Sequence, residues 1–177
     1  DLDQLTTQIR GPAGTDVKVE IERNGQRKSF TVTRDSVQIP SVFSLWFEEE
    51  EIAYIQFTTF SEGAESRFAE TLQQMKANGM RGLIVDLRGN SGGYLHVAEE
   101  MAKHFLPEGT LVYTQDRERT FTPLTFSGGQ SLDIPLVLLV DGGSASSAEV
   151  LTGALQDYEK ATVVGTRTYG KGSVKQV

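Results

Sequence analysis

Two periodicities run through the chain, and they change character near residue 40. Before that point Leu2, Leu5 and Ile9 stand at helical spacing in "LDQLTTQIR", which stops at "GPAG". "TDVKVEIERNGQRKSFTVTRD" then alternates Val17, Val19 and Ile21 on one strand face, turns at Asn24-Gly25 and returns through Phe30 and Val32. Asn-Gly between two alternating runs predicts a β-hairpin. A helix end and one hairpin bury too little surface to fold alone, so residues 1–37 are expected to be the tail of a domain whose front lies elsewhere.

Past "QIPSV" the runs lengthen. "IAYIQFTTF" (52–60) predicts a strand rich in β-branched and aromatic residues, and "EGAESRFAETLQQMKANGM" a helix with Phe68, Leu72 and Met75 inward and Asn78-Gly79 as its stop. "RGLIVD" and "PLVLLVD" are apolar enough to predict strands buried on both faces. "LHVAEEMAKHF" reads as a helix carrying both histidines, "TLVYTQD" as a strand, 146–158 as a helix and "ATVVGTRTYG" as a strand. Strands alternating with helices predict an α/β domain with a largely parallel sheet over residues 38–177.

Composition narrows the class. The 177 residues suffice for one domain of ordinary size or one plus a fragment. A net charge of −7 argues against a nucleic-acid partner, which needs clustered Lys and Arg. Zero cysteines remove disulfides, thiolate metal sites and cysteine nucleophiles but leave the compartment open. No apolar run approaches the ~20 residues that span a bilayer. "DLDQLTTQIR" is no basic and apolar leader, so any targeting signal is expected outside this sequence.

Two apolar strands end in glycine-rich turns that open helices, "LIVDLRGNSGGYL" and "VLLVDGGSASSAEVL". Ligands in α/β sheets bind beyond the carboxyl ends of strands, where helix N-termini present free N–H groups. Ordinary turn and cap residues would also account for these glycines and serines. Neither turn matches a phosphate-binding pattern. A serine nucleophile needs a base. His96 and His104 have no serine near in sequence, whereas Lys171 sits between two glycines in "YGKGS", where the backbone can pass close to another segment. Lysine serves as base where burial depresses its pKa to roughly 7–8, and Ser-Lys pairs are a known variant of the catalytic triad. A solvated turn lysine is the other reading of Lys171.

"GSASSAEVLTGALQDYEKATVVGTRTYGKGSV", with "LIVDLRGNSGG" and "IAYIQFTTF" before it, resembles the carboxyl-terminal processing (tail-specific) proteases, a Ser-Lys peptidase family. The resemblance implies a crotonase- and tricorn-core-like α/β protease domain over 38–177, incomplete at its C-terminus, behind the C-terminal part of a PDZ-like domain at 1–37. It implies a serine endopeptidase that hydrolyses peptide bonds near protein C-termini through an acyl-enzyme. Its nucleophile falls on Ser146, and its lysine, 25 positions later, on Lys171. Asp157 matches an aspartate sometimes assigned to the charge relay, with a structural helix-end role as the alternative. The oxyanion donors fall on the amides of Gly92 and Ser147. Glu149 also matches, as a first-turn residue or an orienting group.

The chain departs from the family at "GKGSVKQV", where Lys175 occupies the usual glutamine position and Gln176 follows it. A β-bulge would return Gln176 to that position as a third catalytic residue. The resemblance implies no metal and no cofactor. It implies protein or peptide substrates recognised through their C-terminal segments, an extracytoplasmic location, and leaves room for peripheral membrane association and a homo-oligomer. Two rivals keep the fold and change the function. One is a non-catalytic peptide-binding or scaffolding module, distinguished by loss of the serine or lysine. The other is an acyl-CoA-type enzyme without a serine nucleophile, which leaves the spacing of Ser146 and Lys171 without a reason.

Overall fold

The computed structural model describes residues 2–35 and 40–173. The chain divides into two compact units, Asp1–Ile39 and Pro40–Val177. The expected domain boundary at 37/38 lies outside the described residues.

In the first unit, helix α1 (Leu2–Ile9) precedes the hairpin of β1 (Asp16–Arg23) and β2 (Gln26–Thr33). Asn24 and Gly25 both take positive φ, 54° and 74°, as a two-residue type I′ turn requires. Arg34 ties the hairpin to the helix. Its Nε donates to the Ile9 carbonyl at 2.7 Å and Nη2 to the Gln8 carbonyl at 3.2 Å, satisfying two orphan acceptors at the end of α1. Its Nη1 donates to Thr15 Oγ1 at 2.9 Å. None of the residues with described side chains in this unit is fully buried, as expected of so small an apolar set.

The second unit is built on a five-stranded sheet in the order β3-β4-β5-β8-β9, with β3 (Val42–Phe47) antiparallel to β4 (Ile52–Phe57). From β4, β5 (Gly82–Asp86), β8 (Leu136–Val140) and β9 (Thr162–Gly165) run parallel. Helices α2 (Ala64–Ala77), α3 (Leu95–Ala102) and α4 (Ser147–Asp157) supply the crossovers, and β6 (Gly109–Gln115) pairs with β7 (Phe121–Phe126) as a separate hairpin. Helix α2 ends where Asn78-Gly79 predicts. Gly79 has φ 85°, and Met80 N–H donates back to the Met75 carbonyl at 3.2 Å, the 6→1 bond of a Schellman stop.

The helices pack on one sheet face. Ala53, Ile55, Phe57, Leu83, Val85, Leu136, Leu138 and Val140 enter a core shared with α2, α3 and α4. At its centre Phe57 meets Phe60 edge-on at 4.9 Å and Phe68 at 5.9 Å. Each such ring contributes about 1.5–3 kcal/mol through burial. The expectation that the central parallel strands are buried on both faces is not met: Ile84, Val137 and Leu139, on the opposite face, are only partly buried. A continuous apolar run records hydrophobicity, not which face the helices choose. Two strands escaped sequence reading, β3 and β7. The first is an apolar run broken only by Ser44 and closed by four glutamates, and the second carries Pro123 in its middle. Helix α3 ends before His104, which lies in the following turn, so the histidines do not share a helix. Among the described residues no helix is long and apolar enough to cross a membrane.

Candidate active site

The two glycine-rich turns lie side by side at the carboxyl ends of neighbouring strands β5 and β8, and hydrogen bonds lock them together. Asp141 Oδ1 accepts Gly89 N–H at 2.8 Å and Gly143 N–H at 2.9 Å. Those backbone donors hold its carboxyl below the usual carboxylate range. Ser144, fully buried, donates its hydroxyl to the Leu87 carbonyl at 2.7 Å. Ala145 N–H donates to the Asn90 carbonyl at 2.9 Å, and Ser147 Oγ to the Gly93 carbonyl at 2.9 Å. Asn90 is itself buried and donates Nδ2 to the Phe57 carbonyl at 2.7 Å.

Glycine is required where the turns touch. A Cβ on Gly92 would stand 2.7 Å from the Ala145 carbonyl oxygen and 2.8 Å from Ser146 Cβ. One on Gly93, whose φ is 148°, would stand 2.3 Å from the Phe60 carbonyl oxygen. The backbone of one turn thus comes within van der Waals reach of Ser146.

Ser146 is the N-cap of α4 and has φ 56° and ψ −120°, a conformation that L-residues rarely adopt. Strain of this kind, of order 1–3 kcal/mol, persists only where the surroundings impose it, and it collects at active sites. Glu149, one turn along, is the brace. Its Oε2 accepts Ser146 N–H at 2.8 Å and Lys171 N–H at 2.9 Å, and its Oε1 accepts Gly170 N–H at 2.6 Å. Burial pushes the Glu149 carboxyl up, but the Thr168 hydroxyl and the three backbone donors outweigh it and hold the group ionised below the usual range. One carboxylate therefore fixes the backbone of the serine and that of the lysine to the same helix turn.

The expected site residues separate accordingly. Ser146, Ser147 and Lys171 line one cavity of about 270 Å³ together with Gly93, Tyr94 and Val150. Lys171 is exposed, as are the described residues 169–173 around it, in contrast to the burial expected of a lysine base. Gly92, expected as an oxyanion donor, gives its N–H to Asn90 Oδ1 at 2.8 Å, so that amide is already engaged. Gly93 was missed. Phe60 bonds the flanking groups, with Gly92 O accepting its N–H and Tyr94 N–H donating to its carbonyl. In a parallel pairing of that kind the N–H and C=O of Gly93 point the other way, toward the Ser147 side. Asp157 is not brought to the serine. It ends α4, eleven residues on, or about 16 Å along the axis at ~1.5 Å per residue. Gln176 and Lys175 lie outside the described residues. His96 and His104 pair with Glu62 and Glu65, each at 3.1 Å, and neither lines the serine cavity.

A second brace sits at the end of β5. Asp86, 1% exposed, accepts Tyr54 OH at 2.6 Å and Arg88 Nη2 at 2.7 Å, and its Oδ1 accepts the Arg88 N–H at 2.9 Å. Burial raises its carboxyl, and the Arg88 and Tyr54 bonds more than compensate, leaving it below the usual range. A depressed carboxylate adds stability above its unfolded pKa, and that stability is lost as pH falls through the folded value. Asp86→Asn should accordingly cost about 1–3 kcal/mol at pH 7, the range for stranding buried hydrogen-bond partners. In urea titrations the gap between variant and wild type should narrow as pH drops below 4; a gap constant with pH would show that the ionised carboxylate contributes nothing.

The chain is 38% identical over 181 residues to a carboxyl-terminal-processing protease of Synechocystis sp., covering 99% of this chain and 42% of that protein. It is 36% identical over 186 residues to the carboxy-terminal processing protease CtpB of Bacillus subtilis, covering 99% and 38%. The solved structure of a photosystem II D1 C-terminal processing protease superposes with a TM-score of 0.72 at 26% identity, over 94% of this chain and 47% of that one. The chain thus spans less than half the length of these relatives. The model of peptidase family S41 matches residues 51–177, and the chain belongs to that family.

Proposed function

We propose that the second unit is the catalytic core of a serine endopeptidase in which Ser146 is the nucleophile and Lys171 the general base. The observation that carries this reading is the Glu149 brace, which holds the strained Ser146 and the Lys171 backbone around one cavity. Neutral Lys171 takes the hydroxyl proton as Ser146 Oγ bonds to the scissile carbonyl carbon. The resulting oxyanion is met by the N–H groups of Ser147, at the α4 N-terminus, and Gly93, in place of the engaged Gly92. Collapse breaks the C–N bond, Lys171 returns its proton to the leaving amine, and an ester to Ser146 remains. Water, deprotonated by the same lysine, attacks the ester carbon; the bond to Ser146 Oγ breaks, Lys171 returns the proton to Oγ, and the acid is released. A peptide lying over the cavity would exclude water from the exposed lysine at the moment the base is needed.

Gln176, which lies outside the described residues, is read as the residue that orients Lys171. Residues 1–37 are read as the C-terminal part of a PDZ-like domain, so that the intact protein takes substrates by their C-terminal segments, outside the cytoplasm. The same reading leaves open peripheral membrane attachment and self-association. A fluorophosphonate probe tests the nucleophile. Mass spectrometry should place the adduct on Ser146, since Ser144 is buried with its hydroxyl committed. Undiminished labelling of Ser146→Ala would overturn the assignment.

A further inference from the structure

Val150 is a wall of the serine cavity. That residue is also a wall of a second cavity, of about 540 Å³, between α4 and β6. On the helix side Ser146, Val150, Gly153 and Asp157 follow at spacings of four, three and four residues, one continuous stripe of a helix face. Gly153 deepens the stripe, for a Cβ there would meet nothing within 4 Å. The two cavities therefore lie in succession along one face of α4.

The other wall of the second cavity, a groove, is the edge of a strand. Tyr113 stands opposite Pro123, which has no N–H, and Asp116 N–H donates to the Thr120 carbonyl at 3.2 Å. That bond sets the parity of the antiparallel ladder: even-numbered residues of β6 near it bond to β7, and Tyr113 directs its own N–H and C=O outward. The outward edge faces the end of α4, because Thr110 N–H donates to Tyr158 OH at 2.7 Å. A register shift between Thr110 and Val112 marks a bulge, a device that re-aims a strand edge. An extended chain in the groove would meet this edge as an added strand meets a sheet. The charged groups lining the groove are carboxylates, Glu149 and Asp157. Glu149 is occupied by backbone donors, which leaves Asp157, exposed at the far end, to face an incoming side chain.

We propose that the groove between α4 and β6 is the path of the extended substrate to Ser146, and that Asp157 selects a basic side chain at its far end. About 16 Å of helix corresponds to roughly five residues of extended peptide at ~3.3 Å each. Asp157 is thus a specificity residue and takes no part in proton transfer. This rests on the peptidase reading, and the test separates the two. Internally quenched peptides of equal length, with Lys or Glu scanned across every position, are hydrolysed by the intact protein. Lys about five residues from the cleaved bond should raise kcat/KM roughly three-fold over Glu, the scale of a solvent-exposed charge pair. Asp157→Lys should invert that ratio at the same position and no other, and Asp157→Asn should bring it to about one. A ratio unchanged by both variants, with hydrolysis still dependent on Ser146, overturns the groove assignment alone. Hydrolysis that persists in Ser146→Ala overturns the peptidase reading beneath it.

Discussion

Ser146→Ala should reduce peptide hydrolysis by at least about 10³-fold in the intact protein, the scale on which removing a nucleophile leaves only binding and oxyanion stabilisation. The fold should survive. Alanine keeps the Cβ that packs beside Gly92, and losing an N-cap hydroxyl costs about 1 kcal/mol. Lys171→Ala should fall as far, because the serine hydroxyl then has no acceptor for its proton. Lys171→Arg separates base from positive charge, since a guanidinium stays protonated and cannot accept the proton. It should be inactive, while wild type hydrolyses the same peptide. Circular dichroism melts of all three variants, run beside the kinetics, distinguish lost chemistry from lost structure. A Lys171→Arg protein that turned over substrate would remove the lysine from the base role.

The chain disclosed these two residues unevenly. Helix stops, the Asn24-Gly25 hairpin and the alternation of strand and helix after residue 40 were legible because each is a local signal. The two glycine-rich turns could be named as the candidate site from their positions after apolar strands. What stayed hidden depends on the third dimension. Asn90 reads as a turn residue, yet its side chain takes the Gly92 N–H and so shifts attention to Gly93. Asp157 matches a spacing along the sequence, but a straight helix carries it three turns from the serine. The open sheet face was equally invisible, for Ile84 and Val85 are interchangeable in hydropathy while facing opposite sides. Glu149 could be placed in the first turn of a helix from sequence; that it reaches Gly170 and Lys171 could not.

Glu149→Gln should be the most damaging change outside the reacting pair, with kcat lowered about 10–100-fold and KM moved much less. A carboxylate offers two acceptor oxygens, and both are used: three backbone N–H groups and the Thr168 hydroxyl converge on them. An amide offers one oxygen and presents an NH2 to the remaining donors, so at least one contact becomes donor against donor. Gly170 and Lys171 are exposed and can turn to water, which keeps the stability cost near the lower end of the ~1–3 kcal/mol for a stranded group. The geometric cost is larger, because the strap that registers Lys171 against Ser146 is cut. Misplacement by about 1 Å can cost ~10²-fold in rate. Glu149→Asp should also fail, as a side chain one methylene shorter cannot span from Ser146 to Gly170. The pH dependence carries a sign. The Glu149 carboxyl lies below its ordinary value of 4.5, so its contribution is present above that pH and is lost as pH falls through the lower folded value. Wild type should lose stability there, and Glu149→Gln, having no proton to bind, should not show that part of the loss. A Glu149→Gln enzyme with wild-type kcat would mean that the 168–171 segment finds its register without the brace.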